Sequence, residues 1–510
     1  MGLEKAVKGP QAMSAGVGMV LAGGVLLAAV QALGQAAGGP GSTSVANTGY
    51  STSQINQAQQ QLNSGSVSGG QSSGVSSDSF KGSIVTGTAT GGVLELSLGD
   101  AIQRGLRTNL GIILQSSSQE NARGQQLEQL QSLLPTVTGS VSASVQQVNL
   151  AAYGLKFPGL NPIIGPFQVM DAQASLSQKV LDLPALQNYL QAKHNFQSAK
   201  LSADDARDVV VLTVGNAYLL CISDAARVEA VKAEMATSKV SFDQAVAAHD
   251  AGTSPKLDVL RAQVDYQNEQ QSLISTTNQL AKDKLALART IGLPLDQEFS
   301  LSDSAPYQAL DHVDPKAAFD QALKNRKDLK ALDESLKAAG AQKKAAWQQQ
   351  LPSADVSGFY GGQGTTFGHS HGVYTATGEV TAPILQVAKT KGDEQVAGAQ
   401  YTQAEAKLAD QVQQVNADIR DSILDIEAAA KLVEATKSNV DLATEALSEA
   451  QQRFHEGISD NLPVSQAQSQ FEQANDQYIS ALYQHNVAKL SLARALGVAQ
   501  TNYKDYLGGK

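Results

Sequence analysis

The sequence predicts an α+β membrane protein, internally duplicated, with long α-helices in coiled-coil packing and a β-barrel to which each chain brings four strands. Three observations carry that class. The stretches Ala185–Asp250 and Asp393–Glu456 contain no proline and one glycine each, Gly215 and Gly398. Directly after Leu134-Pro135 and Leu351-Pro352 the hydrophobic pattern switches from helical to period two. The two halves also repeat at fixed offsets.

Composition narrows the function first. The 510 residues carry 38 basic and 48 acidic side chains, a net charge of −10, so a phosphate backbone is a poor partner and no nucleic acid is expected. One cysteine, Cys221, excludes a disulfide scaffold and a lipid-modified mature N-terminus; its helical line with Val210, Val214 and Ala217 predicts a buried thiol. Residues 1–36 have the layout of a signal peptide: Lys5 and Lys8, an uncharged run from Ala12 to Ala32, and small residues at Val30/Ala32 or Gly34/Ala36. An uncleaved anchor is the alternative. Residues 37–92, rich in Gly, Ser, Thr and Gln, predict a disordered leader.

Each long run of about 65 residues makes a helix near 100 Å at about 1.5 Å per residue, too long for a compact globule. In the second run Val412, Val415, Ile419, Ile426, Ala429, Val433, Val440, Ala443, Leu447, Ala450 and Phe454 step by three and four, with Ser422 and Thr436 filling the gaps: a heptad seam. Shorter helices are expected from Lys256 to Ile291 and from Val464 to Leu496. Their closing words match, Leu-Ala-Leu-Ala-Arg before Gly292 and Leu-Ser-Leu-Ala-Arg before Gly497. The same 205-residue offset separates Gly252 from Gly457 and Ala262/Gln263 from Ala467/Gln468. An offset of 217 relates Ala101, Leu106, Leu134 and Pro135 to Ala318, Leu323, Leu351 and Pro352. The surplus in the first half is expected in the Gly- and Pro-rich loop Tyr153–Phe167. The chain therefore divides into a first repeat over 93–292, an equatorial connector over 293–314, a second repeat over 315–497 and a C-terminal tail over 498–510.

The strands alternate cleanly. Val137, Gly139, Val141, Ala143 and Val145 interleave with Thr138, Ser140, Ser142, Ser144 and Gln146, and Ala172, Ala174, Leu176 and Val180 with Asp171, Gln173, Ser175, Ser177 and Lys179. Ala354–Tyr360 and Tyr374–Ala382 repeat the pattern. A soluble hairpin on a core is the plain reading of either pair. Strands of ~10 residues behind a secretory signal instead match an outer-membrane barrel, lipid outside and a polar lumen inside. Four strands fall short of the eight in the smallest barrels, and a bilayer tolerates no open edge, so several chains must close it.

The order helix, hairpin, very long helix, turn, helix, given twice over about Leu94 to Val498, resembles the TolC family of outer-membrane efflux channels. The tips His249-x-x-Gly252 with Leu257-Asp258-Val259-Leu260-x-Ala262-Gln263, and Arg453-Phe454-x-x-Gly457 with Leu462-Pro463-Val464-x-x-Ala467-Gln468, carry the likeness. The resemblance implies a homotrimer with a 12-stranded barrel in the outer membrane and an α-helical coiled-coil barrel as a periplasmic tunnel. It implies a Gram-negative-type envelope, outer-membrane lipid around the strands, a periplasmic adaptor docking at Gly252, Thr253, Gly457 and Ile458, and an inner-membrane transporter supplying the energy. The function implied is the exit duct of a tripartite efflux system, or of type I protein secretion. A secreted coiled-coil stalk is the rival from another class.

The family's closure at the tips implies Asp258 as a gate residue, facing an aromatic, an Arg and an Asp. Those three places hold Phe454, Ser459 and Gln466 here. The alternatives are a hydrophobic constriction at Phe454 or a pair of Arg453 with Asp460 or with Asp258. Asp258 alternatively serves only the first turn of its helix. His369 and His371 in the external loop are too few for a metal site, Tyr360, Tyr374 and Phe367 suit an aromatic girdle, and no catalytic grouping or cofactor motif is present in the sequence.

Overall fold

A computed structural model describes residues 77–507 except 156–157, 160, 304–306 and 311–312. The expected signal peptide, most of the leader and the last three residues of the tail lie outside the described residues. The first half runs β1 (Leu94–Leu96), α1 (Leu98–Thr108), α2 (Leu110–Gln131), β2 (Thr136–Asn149), β3 (Ile163–Leu181), α3 (Leu183–Asp250) and α4 (Lys256–Ile291). The second runs β4 (Phe299–Leu301), α5 (Pro315–Asn325), α6 (Lys327–Gln348), β5 (Ser353–Gly364), β6 (Ser370–Thr381), α7 (Val387–His455) and α8 (Leu462–Ala495), followed by α9 (Ala499–Leu507). Corresponding helices match in length, 68 residues in α3 against 69 in α7.

Helix α7 buries the seam that its spacing predicts. Val415, Ile419, Ile426, Ala429, Val433, Leu447 and Ala450 are all buried. The two polar members return their hydroxyls to their own helix, Ser422 Oγ donating to Asp418 O at 2.7 Å and Thr436 Oγ1 to Leu432 O at 2.7 Å. No seam hydroxyl competes for a partner across the interface. One stretch of α3 is apolar enough to cross a bilayer, yet half of it is buried against neighbouring helices, as a core helix requires. Cys221 sits in that core, and burial pushes its thiol up to about 12, so it is inert at neutral pH.

The core lies at the equator, where α1, α3, α4 and α8 meet. Ile102, Val210, Val214, Leu287, Ile291 and Leu490 are fully buried there, and Tyr218 donates its hydroxyl to Leu96 O at 2.8 Å. The parallel pair β1–β4 aligns Leu94 with Phe299 and joins the halves. Ion pairs join them again, Lys327 to Asp208 at 2.9 Å and Arg494 to Asp205 at 2.9 Å. The expectation of disorder through Gly92 fails over 77–92. Phe80 is buried with its ring on Gly111, where a methyl would collide, and Asn109 Nδ2 donates to Phe80 O at 2.7 Å. One aromatic anchor docks a segment otherwise rich in Gly, Ser and Thr.

The four long strands form one antiparallel sheet in the order β2-β3-β5-β6. Register keeps the predicted faces together: Val137 pairs with Leu176, Val141 with Ala172, Leu176 with Gly358, and Tyr360 with Tyr374. On the other face Ser142 meets Asp171, Lys179 meets Asp355, and Asp355 meets Glu379. The surplus of the first half is not confined to a loop. Ile163–Phe167 belong to β3, which has 19 residues where β6 has 12.

Candidate functional site

The long helices end in two tips with the same backbone turn. At the first, Gly252 takes φ 74°, its N–H donates to His249 O at 2.8 Å, and Thr253 N–H donates to Ala248 O at 2.9 Å. At the second, Gly457 takes φ 73°, donating to Phe454 O at 3.0 Å, and Ile458 N–H donates to Arg453 O at 2.9 Å. Each tip is a helix C-terminus closed by a left-handed glycine and a six-to-one bond, a conformation that costs a side-chain-bearing residue about 1–2 kcal/mol. Gly252, Thr253, Gly457 and Ile458 are all exposed, as a docking surface requires.

Behind the turns the side chains differ. Asp258, in the first turn of α4, is 2% exposed, accepts from Ser254 Oγ at 2.8 Å and lies 3.5 Å from Arg261. Arg261 also reaches Asp460 of the other tip, at 4.0 Å. The cation between the two carboxylates is therefore Arg261 and not Arg453, which is exposed with no ion pair among those described. Asp258 and Arg261 stand three positions apart on one helix face, a local signal obscured by seeking the cation in the opposite tip.

The second tip packs instead. Phe454 lies half-buried against Leu447, Ala450, Val464 and Ala467, with Phe471 beside it, so it serves as seam within this chain. Ser459 Oγ and the buried Asn461 Oδ1 have no partner, and Gln466 is exposed. Between tips and equator, Gln468 Nε2 donates to Ser238 Oγ, tying α8 to α3. Further along, Glu234, Glu269 and Glu472 bring one oxygen each within 4.8 Å of one another. Burial, then the neighbouring Glu269, pushes Glu472 up to about 8; burial also raises Glu234. The trio is the place among the described residues where a cation would find three carboxylates, and shared protons serve the same need.

A family model described as outer membrane efflux protein matches residues 111–293 and 318–498, one block in each half. The toluene efflux pump outer membrane protein TtgF of Pseudomonas putida is 25% identical over 325 residues, spanning 62% of this chain and 65% of TtgF. The outer membrane protein VceC of Vibrio cholerae superposes with a TM-score of 0.70 at 18% identity, covering 79% of this chain and 96% of VceC. The CmeC outer membrane channel of Campylobacter jejuni does so with 0.70 at 15% identity, covering 86% and 97%. The structural likenesses establish the fold, a helical barrel carrying a β domain. Matched in both halves, the chain belongs to the outer membrane efflux protein family and resides in the outer membrane.

Proposed function

We propose that three copies of the chain form one outer-membrane channel, the exit duct of a tripartite efflux system for small molecules. One observation carries it: the four-stranded sheet has unpaired edges at β2 and β6 and an apolar face open on both flanks, with Val141, Val145 and Val380 72%, 72% and 74% exposed. The edges are not stable in a bilayer until copies join edge to edge, and the apolar face is not stable in water until lipid covers it. Twelve strands from three copies put the valines against lipid and Asp171, Asp355 and Glu379 toward a wet lumen. Tyr360 and Tyr374, paired across β5 and β6, suit the lipid boundary.

A periplasmic adaptor would dock on the tip glycines with Thr253 and Ile458, and an inner-membrane transporter would supply the energy. The Asp258–Arg261–Asp460 bridge between tips is the gate candidate, with Phe454 packing behind it. No catalytic step is assigned. TtgF is named for toluene, and small apolar molecules are the substrate class we extend to this chain. A type I secretion duct uses the same architecture; adjacent genes distinguish them, an ATP-driven exporter marking secretion. A secreted stalk leaves the paired strands without a role. Detergent-extracted protein is expected to migrate as three chains and to conduct ions in a planar bilayer. A soluble, non-conducting monomer overturns the reading.

A further inference from the structure

Next to the sheet, α6 and α7 leave a groove of about 850 Å³ between them. Three exposed lysines rim it, Lys343 and Lys344 from α6 and Lys391 from α7. The half-buried Glu394 and Tyr401 lie deeper, and Glu394 answers Lys391 at 2.8 Å. Lys343 holds its ammonium 5.2 Å from the centre of the Tyr401 ring, and neither it nor Lys344 has a carboxylate partner among the described residues. Three lysines against one carboxylate leave two positive charges uncompensated, in a chain whose net charge is −10. All three ammonium groups are open to solvent, so the groove invites an anion.

Position selects the kind of anion. Helix α6 ends at Gln348 and β5 begins at Ser353, so Lys344 lies about 6 Å below the helix end at about 1.5 Å per residue. With β5 across the hydrocarbon, that depth falls in the polar headgroup layer, about 5–7 Å thick on each side of a bilayer. Trp347 lines the same groove at 50% exposure, and Ile384 and Leu385, in the connection from β6 to α7, are 93% and 88% exposed. Exposed apolar groups of this kind mark a membrane contact, and indole suits the interface. A small inorganic anion would satisfy the lysines and leave the apolar groups bare. An acidic lipid answers both, phosphate to ammonium and acyl chain to side chain.

We propose that the α6–α7 groove binds an acidic phospholipid of the leaflet on the helical side of the sheet, its phosphate held by Lys343, Lys344 and Lys391 and its acyl chains against Trp347, Ile384 and Leu385. The inference rests on the reading that the strands cross the outer membrane. One bound lipid then bridges the end of α6 and the start of α7, and fixes the height at which the sheet enters the bilayer.

Trp347 is the sole tryptophan of the chain, so its fluorescence reports on this groove. The full chain is reconstituted into vesicles of phosphatidylcholine and phosphatidylglycerol, with bromine on the acyl chains of one lipid and then of the other. Quenching is expected to exceed the bulk fraction of brominated phosphatidylglycerol and to fall short of that of brominated phosphatidylcholine. The relative affinity should reach at least about fivefold, the factor one near-surface lysine contributes. Lys343→Gln with Lys344→Gln brings the ratio to about one, while Lys343→Arg with Lys344→Arg keeps it. Excess soluble glycerol 3-phosphate leaves the quenching unchanged. Equal quenching by the two lipids overturns the proposal, as does a preference that survives the double glutamine variant or vanishes with glycerol 3-phosphate. Should that variant not fold, the wild-type ratio decides. Planar-bilayer conductance is read on the same preparations: a conducting protein without lipid preference refutes the lipid site alone, whereas a chain that neither inserts nor conducts refutes the channel reading and the proposal with it.

Discussion

The two helical tips have one backbone and two sets of side chains. Both reverse on a left-handed glycine with the same six-to-one bond, 205 residues apart. Behind that turn the first holds a buried carboxylate with a serine and an arginine as partners, whereas the second holds an apolar cluster around Phe454. At the 205 offset Ser254 becomes Ser459, Asp258 becomes Pro463, and Arg261 becomes Gln466. The hydroxyl survived and its acceptor did not, which is why Ser459 Oγ is buried without a partner. Duplication has conserved what the backbone demands and let charge specialise on one copy.

That contrast can be broken at several points. Phe454→Ala is expected to have the largest effect, loosening the second tip by about 2 kcal/mol as a half-buried aromatic is lost. Hydrogen exchange should accelerate across the α7–α8 turn and leave the α3–α4 turn unchanged. Asp258→Ala should loosen the first tip by about 1–2 kcal/mol, because Ser254 and Arg261 lose their common partner. If the bridge to Asp460 also closes the duct, the resting conductance in a planar bilayer rises. Unchanged conductance assigns Asp258 to its helix alone.

Smaller effects sharpen the comparison. Gly252→Ala and Gly457→Ala should each cost about 1–2 kcal/mol, and equally, since the strain lies in the shared backbone. A clear inequality in exchange rates would show that the turns are not equivalent. Pro463→Asp combined with Gln466→Arg transplants the missing acceptor and cation, and should gain about 1 kcal/mol through the Ser459 hydroxyl and the helix N-terminus. The pH response comes last. Glu472 keeps its proton to about pH 8 when folded but releases it near 4.5 when unfolded. The folded state thus binds more protons between those values, and the stability this contributes, complete below about 4.5, is lost as pH rises through about 8. Thermal melts from pH 5 to 9 should show the decline, and Glu472→Gln should flatten it.

Much of this architecture was legible because it rests on local rules. Absent breakers marked the long helices, and the bounds expected for α4, Lys256 to Ile291, are those observed. Alternation gave the strands and their faces, which register then confirmed pair by pair. The remainder needed contacts that sequence spacing does not encode. Arg261 meets Asp460 across nearly 200 residues, whereas the sequence pointed to Arg453, because charge carries no direction. Phe80 is the one aromatic side chain in a segment rich in Gly, Ser and Thr, and only its seat on Gly111 reveals an anchor.

The even strand count of the sheet has a consequence for assembly. Because β2, β3, β5 and β6 alternate in direction, the outermost two point opposite ways, so in the proposed ring β6 of one subunit would meet β2 of its neighbour in antiparallel fashion. Every seam in a rotational ring then has the same polarity as the pairings inside a subunit, so no joint is chemically distinguishable from the fabric around it. Adding or deleting a single strand would force a parallel joint into each subunit boundary.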